Sequence, residues 1–131
     1  MSIPTHDLFA VPARLDAGRI HPEARGIMHD PGPGWTIAAF RVHQPEDVHP
    51  DHWEAHPLAD EIVCVLDGSV RLTLRGTEDA AEQAAELTSG RFVVVPRGRH
   101  HRLELLGPST LMSITDRTGT RHDPVEGWQR S

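Results

Sequence analysis

The chain has 131 residues, 37% hydrophobic and 24% charged, a composition that fits one globular unit with a single core. Its formal charge of −6 speaks against binding to a nucleic-acid backbone. The one cysteine, Cys64, excludes an internal disulfide framework and any multi-cysteine zinc site, and no apolar run is long enough to span a bilayer.

The start, Met1 to Asp7, lacks a basic region followed by an apolar core, so no secretory signal is expected and the cytoplasm is the expected compartment. Residues 1–34 are rich in Pro, Gly and His. The cluster Asp30-Pro31-Gly32-Pro33-Gly34 cannot continue a helix or a central strand, which predicts an irregular N-terminal arm with a short edge strand. From Trp35 onward the chain reads as strands. Trp35 to Val42 is apolar and stops at Gln44-Pro45-Glu46-Asp47. Ile62 to Leu66 is apolar on both faces and Val70 to Arg75 alternates with period two. Asp67-Gly68 between them predicts a hairpin, because such a turn needs positive φ. Glu78 to Leu87, rich in Ala and Glu, is predicted as a surface insertion with a helical turn. Phe92 to Val95, His101 to Leu105 and Leu111 to Thr115 close the series. Many short strands, little helix and frequent turn residues predict an all-β, antiparallel sandwich or barrel. Apolar residues on both faces of single strands predict a second layer or a partner subunit outside the barrel.

The chain holds ten histidines and no tyrosine. Histidine both ligates metals and moves protons near neutral pH, so its placement carries the chemistry. In an extended His52-Trp53-Glu54-Ala55-His56, residues 52, 54 and 56 fall on one face. Glu61 shares parity with Val63 and Val65, and a carboxylate facing that interior is costly unless paired, protonated or bound to a cation. His101 shares parity with Leu103 and Leu105 and points inward with them, while His100 points away. Imidazole nitrogens with carboxylate oxygens suit a divalent first-row metal (Fe, Mn, Ni, Co or Zn) and do not suit calcium. Cys64 has the opposite parity to Glu61 and reads as a small buried hydrophobe. Arg41, Arg71, Arg99 and Arg102 are candidates to orient an anionic ligand, with solvated surface the commoner role, and His122 is the outlying histidine whose C-terminal segment can fold over a barrel mouth.

His56, four residues, Glu61, six residues, Gly68 resembles the second half of the first cupin motif. Gly90, five residues, Pro96-Arg97-Gly98, two residues, His101 resembles the second cupin motif. The resemblance covers roughly residues 35 to 116 and implies a jelly-roll barrel, the double-stranded β-helix, with a metal site at the motif positions and a homodimer. It divides the chain, as one domain over 1–131, into an arm at 1–34, a barrel at 35–116 and a tail at 117–131. Carried over by position, the metal residues are His56, Glu61 and His101. Glu54 stands where the motif has its first histidine; either it ligates as a carboxylate, or His52 takes over from the same face. Val48 replaces a motif glycine, and Leu105 an asparagine. Trp53-Glu54-x-His56-Pro57 and the later Gly119-Thr120-x-His122 also resemble a subgroup of small cupins.

The resemblance implies a metal-dependent enzyme acting on a small organic molecule, of dioxygenase, isomerase or lyase type, with no particular catalytic residue assigned. Two alternatives stand beside it: a non-catalytic module that binds or senses a small ligand, and a metal-free sugar isomerase or epimerase with His56 or His101 as general base. The absence of tyrosine, a usual general acid, weighs against the latter. No nucleic-acid or membrane partner is expected.

Overall fold

The computed structural model describes residues 2–23 and 32–128. Asp30 and Pro31 of the predicted turn cluster lie outside the described residues. In chain order the strands are β1 (Ala13–Asp16), β2 (Arg19–Pro22), β3 (Trp35–Val42), β4 (His52–Ala55), β5 (Glu61–Asp67) and β6 (Ser69–Leu74). There follow β7 (Gln83–Thr88), β8 (Phe92–Val95), β9 (His101–Leu105), β10 (Ser109–Thr115) and β11 (Arg121–Pro124), and a 3-10 helix covers Pro45–Val48. The predicted strands after Trp35 are all present. No helix among the described residues is long and apolar enough to cross a membrane.

Two sheets form, with strand orders β2-β1-β3-β10-β5-β8 and β11-β4-β9-β6-β7. The pairings within them are antiparallel. The chain changes sheet at most connections, which makes the architecture an antiparallel jelly roll. Within the arm, β1 and β2 form a hairpin that leaves β2 as an edge strand. That hairpin and β11 extend the sheets beyond residues 35–116.

Two predicted details are corrected. Asp67-Gly68 does not close a hairpin: β5 pairs with β8 and β10, whereas β6 pairs with β7 and β9. Gly68 is the corner at which the chain passes from one sheet to the other. Its φ of +103° is open to glycine, and a Cβ there would collide with Ser109 Oγ and the Pro108 carbonyl. Positive φ was the right inference, but a corner uses it as readily as a hairpin does. The predicted helical turn in Glu78 to Leu87 is instead β7 over its second half, paired residue by residue with β6. Helix propensity loses here because Leu87, opposite Val70, reaches the core and the β6 backbone takes up the hydrogen bonds.

The core lies between the sheets, built from Val42, Val63, Val65, Val70, Leu72, Leu87, Val95 and Leu111. On β5 it continues the inward row Glu61, Val63, Val65, and the register pairs Leu74 with His101, Leu72 with Leu103 and Val70 with Leu105. The apolar rows therefore fill one end of the barrel and finish at the other in Glu61 and His101. Cys64 faces outward and is half-buried, less enclosed than the parity reading predicts, because among the described residues no second layer covers the outer face of β5.

Candidate metal centre

Four side chains meet at that end of the barrel. Glu54 of β4 stands directly opposite His101 of β9, so both project from the same face of their sheet. His122 of β11 continues this row on the far side of Glu54. Glu61 comes from the first position of β5, in the opposing sheet. His56 follows β4, and the loop carrying the second motif is tied to it: the Gly98 amide donates to the His56 carbonyl at 2.8 Å. The Arg97 amide donates to Asp60 Oδ1 at 2.7 Å, so Asp60 joins the two motifs at the surface.

Each of Glu54, His56, Glu61 and His101 offers one donor atom, and these atoms lie within 4.8 Å of one another. Donors on opposite sides of a divalent ion stand about 4.2 Å apart, twice a bond length of about 2.1 Å, so the cluster needs to contract by only a few tenths of an ångström. His56 Nε2 is 2.9 Å from Glu54 Oε1 and 3.3 Å from Glu61 Oε2. His101 Nε2 is 3.0 Å from Glu61 Oε1. Yet His56 Nε2 and Glu61 Oε1 are buried without a partner in hydrogen-bond geometry. Short distances with poor hydrogen-bond angles are what ligands turned toward a shared centre give. His56, Glu61 and His101 are 2%, 3% and 3% exposed. Bulk solvent therefore does not reach them, and the donor set fits a divalent first-row cation.

Without a cation the charges settle by proton transfer. Burial pulls His56 down, but the Glu54 and Glu61 carboxylates outweigh it and raise its pKa to about 9. Burial pushes Glu61 up, but His101 and His56 hold its carboxyl far below the usual range. Glu54 is also lowered: burial opposes ionisation, and contact with His56 overcomes it.

His52 does not join the cluster. Its ring is exposed and its Nδ1 lies 3.1 Å from Asp51. His122 sits at the mouth, exposed, with Nδ1 3.6 Å from Glu54 Oε2. The four arginines named as candidates are engaged elsewhere or solvated. Arg41 lies over Phe9, Arg99 donates to the Arg75 and Ala81 carbonyls, Arg102 flanks Trp53, and Arg71 is exposed. The arginine that reaches the centre is Arg117, with Nη1 3.7 Å from Glu54 Oε1 and Nη2 3.6 Å from Glu61 Oε2. Sequence reasoning passed over it, although it continues the inward parity of Leu111, Ser113 and Thr115 one step past β10. Thr120 was quoted in a motif without a role. Its Oγ1 lies 2.8 Å from His56 Nδ1. The cluster opens onto a cavity of about 490 Å³, whose wall includes Phe40, Val63, Leu103 and Leu111 beside Glu54 and Glu61.

The architecture is thus a two-sheet antiparallel jelly-roll barrel with an interior His/Glu cluster at one open end. Residues 39–115 match the cupin domain family, and the chain belongs to that family. No curated protein matches it. Among solved structures, a cupin-2 domain containing protein from Shewanella frigidimarina NCIMB 400 is 21% identical, with 63% of this chain and 71% of that chain covered and a TM-score of 0.48. An oxalate oxidase in complex with the substrate analogue glycolate is 21% identical over 67% of this chain and 44% of its own, with a TM-score of 0.53. Oxalate decarboxylase from Bacillus subtilis is 18% identical over 70% of this chain and 24% of its own, with a TM-score of 0.52. The chain thus spans less than half the length of either oxalate enzyme, and at such identities the likeness is one of fold.

Proposed function

We propose that this cupin binds one divalent first-row metal ion through Glu54, His56, Glu61 and His101 and acts on a small organic molecule held in the adjoining cavity. The observation that carries this reading is the set of buried donor atoms that approach one another without hydrogen-bond geometry. Glu54 fills the fourth position, and His52 is left at the surface. A metal held there supplies a Lewis acid, or a site for dioxygen, at the mouth of the cavity. The chain's own part is to hold the ligands rigidly on two sheets, to exclude water with the apolar wall, and to admit a substrate past His122. Oxygenase, isomerase and lyase activities are all compatible with such a site.

The test is elemental analysis of protein purified without a histidine tag and dialysed against Fe, Mn, Ni, Co or Zn. The expected result is about one ion per chain, lost in His101→Ala while circular dichroism stays that of a β protein. A stoichiometry near zero in the wild type rejects the reading and leaves the cluster as a network of His–Glu ion pairs. Retention of the ion by the variant rejects the ligand set.

A homodimer is proposed on the outer face of the six-stranded sheet, with a second copy as the occupant. The register aligns Ile62 with Val94, Cys64 with Phe92, and Met112 with Cys64 across neighbouring strands. Phe92 and Val94 are 58% and 51% exposed on the edge strand β8. That is an apolar face continuous with an unpaired strand edge, of the kind covered by subunit contacts. Light scattering of wild type and Phe92→Asp distinguishes dimer from monomer.

A further inference from the structure

We infer that Arg117 anchors the carboxylate of a small, largely apolar organic acid and so sets the substrate class of the cavity; the inference rests on the metal reading above. Arg117 is 9% exposed and lines the 490 Å³ cavity with Glu54 and Glu61. A guanidinium carries five N–H donors. Here Nη2 donates to Ser113 Oγ at 2.8 Å, and Nε is buried with no hydrogen-bond partner. The two glutamates, at 3.6 and 3.7 Å, balance its charge from beyond hydrogen-bond reach. A buried fork with donors left over is expensive unless an acceptor from outside the chain takes them.

Charge determines the nature of that acceptor. A divalent ion on the cluster neutralises Glu54 and Glu61, and Arg117 is then left with one positive charge in a mostly apolar chamber. The other carboxylate on the cavity wall, Asp47, does not compensate it. Its Oδ2 accepts from the His43 and Gln44 amides at 2.9 and 3.0 Å and closes the turn before the 3-10 helix. A single anionic group on the ligand restores neutrality, and a second would not. Among the described residues of the lining Arg117 is the one arginine and there is no lysine; the histidines are His49 and His122, the latter at the mouth, and the stretch formed by Phe40, Val63, Leu103 and Leu111 fits a hydrocarbon body. The acid favoured is therefore a monocarboxylate with an apolar remainder.

The experiment is a fluorine NMR titration of zinc-loaded protein with 4-fluorobenzoate and with neutral 4-fluorobenzamide, with zinc content measured on every sample first. The expected result is a preference of at least tenfold for the acid, abolished in Arg117→Gln at unchanged zinc content. Arg117→Lys keeps the charge without the fork and should lose several-fold in affinity for the acid while retaining its zinc. No preference in the zinc-loaded wild type overturns the inference and leaves the metal reading standing. So does full preference in Arg117→Gln or, should that variant not fold, wild-type affinity in Arg117→Lys. Loss of zinc from both variants makes Arg117 a support of the cluster and overturns its role as anchor. A wild type that takes up no zinc fails at the metal assay before any probe is added; the metal reading is then wrong, and this inference falls with it.

Discussion

Thr120 Oγ1 fixes the tautomer of His56. Its proton goes to the Arg117 carbonyl, 2.7 Å away, so at 2.8 Å it accepts from His56 Nδ1–H. Nε2 is thereby the nitrogen turned on Glu54 and Glu61. An outer partner that orients an imidazole typically contributes about 10- to 100-fold in metal affinity. Thr120→Val is expected to weaken metal binding by that order, and Thr120→Ser to restore it. Competition against a chromophoric chelator measures both, and equal affinities for Val and wild type would remove Thr120 from the site.

The raised pKa of His56 sets the pH dependence of metal uptake. Ordinary imidazole chemistry predicts weakening only below about pH 6. With His56 at about 9, its Nε2 proton must be displaced throughout the neutral range. Apparent affinity is expected to rise about tenfold for each pH unit between 7 and 9, with release of one proton per ion bound in weakly buffered solution. A flat affinity across that range would show that the ion displaces no proton held by His56 above pH 7.

How much of this was legible in advance follows from what each rule can see. Strand parity is local, so the inward positions of Glu61 and His101 could be read from Val63, Val65, Leu103 and Leu105. The same rule reaches Arg117 through Leu111, Ser113 and Thr115, but that row was not followed past the end of β10. Thr120 was out of reach, because it lies in a loop where no period holds. Asp67-Gly68 announced positive φ without saying which strands it would separate. In Gln83–Thr88 the composition favoured helix, and only the long-range pairing with β6, invisible to propensity, decided for a strand. The choice between Glu54 and His52 needed the register that sets Glu54 opposite His101 and the pairing of His52 with Asp51 at the surface.

Glu54 stands where the first cupin motif has a histidine. If it completes the metal set from that position, a histidine placed there should serve as well. Glu54→His is expected to keep about one ion per chain. Glu54→Ala is expected to lose affinity by more than the roughly 100-fold that removal of a supporting residue costs. Cobalt loading gives a second readout, since exchanging an oxygen donor for nitrogen shifts the visible ligand-field bands. An Ala variant with wild-type affinity would place Glu54 outside the ligand set.

Stability of the metal-free protein should peak on the acid side of neutrality. His56 binds its proton more tightly in the folded chain, at about 9 against an ordinary 6.5. Its contribution is therefore complete below pH 6.5, where both folded and unfolded chains are protonated, and is lost as pH rises toward 9. The displacement is worth roughly 3 kcal/mol for a group this buried. Glu61 works in the opposite sense: its folded carboxyl is held below the ordinary 4.5, so its contribution is present above that value and fades as pH falls. The two describe one ion-paired cluster and are not summed. Chelator-treated protein should therefore unfold at its highest temperature between about pH 4.5 and 6.5 and lose stability steadily toward pH 9. Metal-loaded protein, whose His56 carries no Nε2 proton, should instead hold its stability nearly level over that alkaline interval, because the native-state ligand stabilises by the logarithm of its rising affinity and so offsets what the metal-free fold loses. Parallel melting curves with and without chelator at pH 5.5, 7 and 8.5 test this, and a melting temperature that fell with pH equally in both samples would show that no ion displaces the proton from His56.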